Sequence, residues 1–283
     1  MYLPDEIPKA KVLITVKTYP LPSSAFGDRV CTAGLFEDGK WVRIYPITWQ
    51  NLEDDEKYSK YSWVELDLKR YKNDFRPETY TPRLGIDENI TVSEPLGTDN
   101  AWAARKHFVF QEVFTSMQDL IGLAKSDAGK SLATLKPAEI IDFVIEEEEE
   151  KEWRDSWLNL RKQTSMFDLD DQGHLKKRQL IKKLPYRFKY RFISCGDKNP
   201  RLLSIQDWEI GALFWNCFRR TGGNHEEAKR LVRQRYFDEF LSNNDLYLFL
   251  GTDYKYHKKN SPDPFIIIGV FYPPKTDQLT LFS

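Results

Sequence analysis

The sequence predicts an α+β protein of two domains, and three observations carry that prediction. The first hundred residues break into short β-branched runs separated by turn residues. Apolar residues at helical spacing come later, and a run of acids from Glu146 to Glu150 divides two differently charged halves. The expected divisions are a mainly-β, barrel-like domain over 1–145 with a helical segment, an acidic linker over 146–173, and an α+β domain over 174–283 with a basic face and a terminal peptide.

Each element has a local reason. Lys11 to Tyr19 is β-branched and partly alternating, and Pro20 and Pro22 end it. Arg29 to Phe36 and Lys40 to Ile47 flank Asp38-Gly39, a tight-hairpin signal, and Trp63 to Tyr71 alternates as a half-buried strand does. Such strands and turns suggest a small barrel or a strongly bent sheet. Trp102 to Ala124 reads as one or two helices, and Ile140 to Glu146 as a strand. Beyond the acidic run, EWRDSWLNLRK looks helical and Gln163 to Gly173 is polar. Tyr186 to Ile193 alternates aromatic and basic residues, as a strand with one cationic face would. Helices are expected over Ser204 to Arg220 and Asn224 to Ser242, separated by Thr221-Gly222-Gly223, with Asn224 as N-cap and Glu227 as its capping-box partner. Strands over Asp245 to Gly251 and Pro264 to Phe271 complete the reading.

The 283 residues carry 42 Lys+Arg against 43 Asp+Glu, with 41% hydrophobic and 14% aromatic residues. That composition excludes low-complexity disorder and collagen-like or disulfide-scaffold classes. The early acids and short apolar run of the N-terminus do not make a signal peptide, and no stretch has the length of a membrane span. Cys31, Cys195 and Cys217 form no Cys-x-x-Cys pair, so a cytoplasmic protein with reduced thiols, no metal and no cofactor is expected.

The formal charge of -1 is a cancellation. Residues 146–172 sum to -6, and residues 174–235 to +11. A local excess of that size attracts phosphates whatever the total. The candidate nucleic-acid contacts are Lys182, Lys183, Arg187, Lys189 and Arg191, with Arg43 in WVRIYPI as an even choice between phosphate contact and a strand cation that snorkels. The competing reading pairs these cations with the acidic block upstream as a solvated face.

Gln278-Leu279-Thr280-Leu281-Phe282 resembles the pentapeptide by which bacterial DNA-processing proteins bind the replicative sliding clamp. Leu281 and Phe282 suit an apolar pocket, Gln278 its polar rim, and Leu279 differs little from the usual pattern. The alternative is a last strand packed on the core. Gln163-Thr164-Ser165-Met166-Phe167 is a weaker copy.

KVLITVKTYPLPSSAFGDRVCTAG, WVRIYPI and YRFKYRFISC with DWEIG together resemble an uncharacterised prokaryotic dual OB-containing domain family. The resemblance spans nearly the whole chain. It implies two small OB-type barrels with helical insertions and brings no catalytic residues. Relatives carry Cys or His ligands after the position of Cys195; here GDKNPRLLS follows, which leaves a metal unsupported.

The sequence contains no phosphate-loop, dinucleotide or nucleophile-elbow motif, and its four histidines are scattered. Asp207 and Glu209, with Lys198 upstream, could form an acid-acid-lysine nuclease set, but acids at a helix start also suit its dipole. Asp253 and His257 near a turn are a weaker pair still. The expectation is a non-enzymatic DNA- or RNA-binding protein that docks on a sliding clamp, with no membrane partner. A metal-dependent nuclease, or a protein-interaction adaptor in a phage-defence or mobile-element system, is the alternative.

Overall fold

The computed structural model describes residues 4–19, 21–23, 27–47, 58–83, 90–150, 152–153 and 182–275. The N-terminal third supplies seven strands: β1 (Glu6–Lys17), β2 (Leu21–Ser23), β3 (Gly27–Leu35), β4 (Trp41–Ile47), β5 (Ser62–Arg70), β6 (Thr79–Pro82) and β7 (Thr91–Pro95). Five of them close a barrel in the order β1-β3-β4-β6-β5, with β5 pairing back to β1. Every barrel pairing is antiparallel except β4 with β6. The Asp38-Gly39 hairpin joins β3 to β4, and Gly39 takes φ 74°, a value that favours glycine.

Alternation on β5 places Val64, Leu66 and Leu68 inside, against Val12, Ile14, Val42, Ile44 and Tyr80. The continuous apolar run of β1 has a different cause. Val12 and Ile14 point into the barrel, while Leu13 and Val16 point out against Phe249, Ile268 and Phe271 of the second half. A strand covered on both faces has no polar face to alternate with.

The second half follows α1 (Asp99–Val109). It contains β8 (Val113–Phe114), α2 (Met117–Lys125), β9 (Leu132–Leu135), β10 (Glu139–Glu147), β11 (Tyr186–Ile193), β12 (Arg201–Ser204) and α3 (Trp208–Arg220). Then come α4 (His225–Arg233), a π-helical stretch (Gln234–Glu239), α5 (Phe240–Asn243), β13 (Tyr247–Thr252), α6 (Tyr254–Lys258) and β14 (Phe265–Phe271). Two sheets form, β10-β11-β12 and β14-β13-β9-β8, linked by a parallel bridge between Ile205 and Ile267. On β11 the aromatic face, Tyr186, Phe188, Tyr190 and Phe192, is core and packs on Phe143, Phe214 and Tyr236. Each such ring contributes roughly 1.5–3 kcal/mol by burial. Asn224 caps α4 through the Glu227 amide, as the sequence indicates. The first expected helix begins later than its apolar pattern, at Trp208, because β12 claims Arg201–Ser204 for the sheet and Asp207 caps the start.

Tyr19 fastens the barrel to α3. Its amide donates to the Gln206 carbonyl, its ring stacks on Trp208, and its hydroxyl donates to the Lys182 carbonyl at 2.5 Å. The approach requires a glycine at 211, since a methyl group there would lie inside the van der Waals surface of the Tyr19 ring. Gly→Ala in an open helix gains about 1 kcal/mol of propensity, whereas overpacking costs about 1–3 kcal/mol. The clash wins at this site, so Gly211→Ala is expected to lower stability. Urea unfolding that showed the variant more stable than wild type would contradict this contact.

Candidate nucleic-acid interface

The barrel and α3 meet around one buried ion cluster. Asp207, with a fully buried side chain, caps α3 by accepting from the Glu209 amide. Lys60, whose side chain is 9% exposed, donates to both Asp207 carboxylate oxygens at 2.9 Å, and its ammonium stands 3.0 Å from Glu209. Burial pushes the Asp207 carboxyl up to about 6 against the attraction of Lys60. Burial also works against the Lys60 ammonium, yet Asp207 and Glu209 together hold its pKa above the ordinary lysine value.

A cleft of about 560 Å3 opens beside this cluster. Lys17, Lys60 and Arg105 bring cations to it, and Tyr61, Trp102, Trp208 and Tyr272 bring rings. The Lys17 ammonium donates to the Tyr58 carbonyl and lies over the Tyr58 ring at 4.7 Å. Burial, and then the charge of Lys60, lower its pKa to about 8. The Arg105 guanidinium sits 4.1 Å from the Tyr61 ring centroid and 5.0 Å from that of Trp102, and it donates to the Leu96 carbonyl. It has no carboxylate partner among the described residues. Tyr61 (φ 68°) and Trp102 (φ 66°) both hold left-handed backbone, which costs a bulky residue about 1–3 kcal/mol. Both residues bring their rings against the Arg105 guanidinium.

The cationic surface continues along the outer side of α3. Trp208, Ala212, Trp215 and Arg219 follow one another at helical spacing, with Glu209, Leu213, Asn216 and Arg220 alongside. The Lys182 ammonium lies over the Trp215 ring at 5.3 Å, Arg219 donates to Asn216, and Arg219 and Arg220 are exposed. Among the described residues Lys182, Arg219 and Arg220 face no carboxylate at ion-pair distance.

The other cations singled out from the sequence stand differently. β11 pairs with β10, whose outer face carries acids. Glu148 takes Arg187 in a two-pronged contact at 2.6 and 2.8 Å, Glu146 takes Lys189 at 2.5 Å, and Lys183 lies 4.0 Å from Glu150. Arg191 is exposed opposite Asp142. Arg43 is buried, donating to Thr79 Oγ1, Ser131 Oγ and the Ser131 carbonyl. Lys198 is exposed, and it is Lys60, from the barrel, that meets Asp207 and Glu209. No group of three or more His, Cys, Asp or Glu among the described residues could hold a metal ion. Gln278, Leu279, Leu281 and Phe282, the 163–167 segment and most of the acidic linker lie outside the described residues.

Lys17, Lys60, Arg105, Trp102 and Tyr61 escaped the sequence reading. They come from three separate stretches of a half with no excess of cations, and only the closure of the barrel onto α3 assembles them.

The fold thus defines an α+β protein with a closed five-stranded barrel joined to a second α/β unit. The chain belongs to the family described as domain of unknown function DUF8757, which matches residues 113–283, and residues 8–111 match domain of unknown function DUF8758. No curated protein matches the chain. No helix among the described residues is long and apolar enough to cross a membrane.

Asp207→Ala is expected to cost about 3–5 kcal/mol, because it leaves the Lys60 ammonium buried without its main partner. Acid pH separates Asp207→Asn from wild type in a defined direction. The folded-state pKa of about 6 lies above the ordinary 3.8, so the folded state takes up the proton first. Wild type therefore gains stability from this group as pH falls through 6 toward 3.8, and the Asn variant does not. Urea unfolding at pH 7 and pH 5 should show the stability difference moving in favour of wild type. A constant difference would remove Asp207 as the titrating group.

Proposed function

We propose that the protein is a non-enzymatic nucleic-acid-binding protein of OB type that holds a single strand of DNA or RNA along the cleft and the outer side of α3. The observation that carries this reading is the interleaving of tryptophan and tyrosine rings with Arg105, Lys182, Arg219 and Arg220, none of which is ion-paired among the described residues. Rings offer any base a stacking surface, and unspent cations attract the phosphates.

The OB reading is supported by the strand order, since an OB barrel is a five-stranded Greek-key barrel. Such barrels use the face of their second and third strands for ligands. In this chain those strands are β3 and β4, and the second unit covers part of that face. Arg43 is bound to Ser131, and Arg76 to Asp74 and the Thr252 carbonyl. A cleft of about 260 Å3 is left there, lined by Cys31, Tyr45 and Tyr254 among others. The larger ring-lined cleft at α3 is the better fit for a strand.

Fluorescence anisotropy with single- and double-stranded oligonucleotides across a salt series tests the proposal. The Lys182→Ala, Arg219→Ala, Arg220→Ala triple variant is expected to bind at least tenfold more weakly and to flatten the salt slope by roughly 2. Arg187→Ala with Lys189→Ala, whose charges Glu148 and Glu146 already hold, should change affinity less. Unchanged affinity and slope in the triple variant would overturn this placement of the strand.

Docking on a replicative sliding clamp through Gln278, Leu279, Leu281 and Phe282 is part of the same proposal and rests on the resemblance of QLTLF to the clamp-binding peptide. Retention on immobilised clamp should disappear in the Leu281→Ala, Phe282→Ala variant, and retention at the wild-type level would sink it.

A further inference from the structure

We propose that α6 and the turn after it form a second contact for the same nucleic-acid strand, with the Tyr256 ring stacking on a base and Lys255, Lys258 and Lys259 meeting the phosphates. The inference rests on the nucleic-acid reading and adds to it the path and the length of strand that the protein holds.

Residues 254–259 read YKYHKK, an aromatic-basic pattern carried on a short helix. Lys255, Lys258 and Lys259 are exposed, and none of them has a carboxylate at ion-pair distance among the described residues. Tyr256, at 54%, is the most exposed large apolar side chain among the described residues. Phe75 and Tyr254 are exposed as well, with their ring centroids 5.6 Å apart. The Tyr254 ring already has Arg76 over it at 5.5 Å and Lys258 at 5.8 Å. No ring or cation lies against Tyr256 among the described residues. A ring left in water beside cations that no acid takes up is the combination with which single-strand binders hold bases and phosphates.

The helix is a fixed mount for these groups. Asp253 caps it, accepting from the Lys255 and Tyr256 amides at 2.8 and 3.0 Å. The buried His257 pins it to the second unit: Nε2 donates to the Ala124 carbonyl at 2.8 Å, and Nδ1 accepts from Thr252 Oγ1 at 3.0 Å. The mount stands between two clefts. Tyr254 lines the cleft of about 260 Å3 at the barrel, and Tyr256 lines another of about 360 Å3. The second cleft leads back to α3, because Tyr19 and Lys183 are among its walls and the Tyr19 hydroxyl accepts from Trp215 Nε1. A strand that leaves the outer side of α3 past Lys182 therefore reaches Tyr256 through this cleft. Two carboxylates oppose it there. Glu148 is partly offset by Arg187, and Asp253 by the amides that it caps.

The test measures the binding of single-stranded oligonucleotides of about 4 and about 16 nucleotides, the range of strand that one OB fold covers. The long form should bind wild type about tenfold more tightly than the short one, because its second contact is made within the complex. The Lys255→Ala, Lys258→Ala, Lys259→Ala variant should lose most of that ratio and roughly 2 of the salt slope on the long form, with the short form unaffected. Tyr256→Ala should weaken the long complex about fivefold or more, the worth of one stacked base, whereas Tyr256→Phe keeps the ring and the affinity. These side chains are exposed, so circular dichroism and thermal melting should match wild type in every variant. A lysine variant that keeps the wild-type dependence on length would overturn the second contact and leave the nucleic-acid reading standing. Loss in the lysine variant with none in Tyr256→Ala would overturn the stacking contact and leave a surface for any polyanion, an acidic protein included. Wild type that binds neither oligonucleotide would overturn the nucleic-acid reading itself.

Discussion

A buried ion pair between Lys60 and Asp207 holds the barrel against the first turn of α3, and the cleft beside it exists because that contact is made. Asp207 serves three partners at once. It caps the helix, neutralises the lysine, and lies in the bridge from residue 207 to Thr18 at the end of β1. Removing two charges from water is costly, and the three hydrogen bonds that Asp207 accepts, two from Lys60 and one from the Glu209 amide, offset only part of that cost, which is why its carboxyl is pushed up to about 6. What it contributes above all is register. It fixes where α3 begins relative to the barrel, and so where Trp208 and Glu209 stand.

β1 gives the same junction its apolar half. Its inner residues fill the barrel, and its outer residues fill the space against β13 and β14. The two halves of the chain therefore share a strand's worth of core as well as an ion cluster. Tyr19, just past β1, extends the junction by laying its ring on Trp208 over the bare backbone of Gly211. Lys182 is tied in through its carbonyl, which accepts from the Tyr19 hydroxyl, and its ammonium is directed over Trp215.

The charge imbalance visible in the sequence acquires a different meaning in three dimensions. Among the described residues the +11 block does not form one cationic surface, because antiparallel pairing sets the acids of β10 directly beside the bases of β11. Cross-strand neighbours are the natural partners of long charged side chains, and Arg187 and Lys189 are taken up in this way. Among the described residues, Lys182 before β11 and Arg219 and Arg220 at the end of α3 are cations of the block that no carboxylate takes up at ion-pair distance. Counting charges along the chain located the excess, but only strand pairing decided which cations were spent.

Local periodicity was enough to read the β3–β4 hairpin, the alternation of β5, the aromatic core face of β11 and the cap of α4, because each depends on neighbours in sequence. The short strands β6, β8, β9 and β12 left no such pattern. They are two to four residues long, and long-range pairing makes them strands. Asp207 was legible as an acid at a helix start, whereas its partner Lys60 was not. The sequence alone determined which segments alternate, which helices cap and where charge accumulates. The tertiary structure decided the closure of the barrel, the pairing of Lys60 with Asp207, and the cleft of Lys17, Tyr61, Trp102 and Arg105. Those depend on contacts between residues far apart in the chain, and no local pattern encodes which distant residue arrives at a given place.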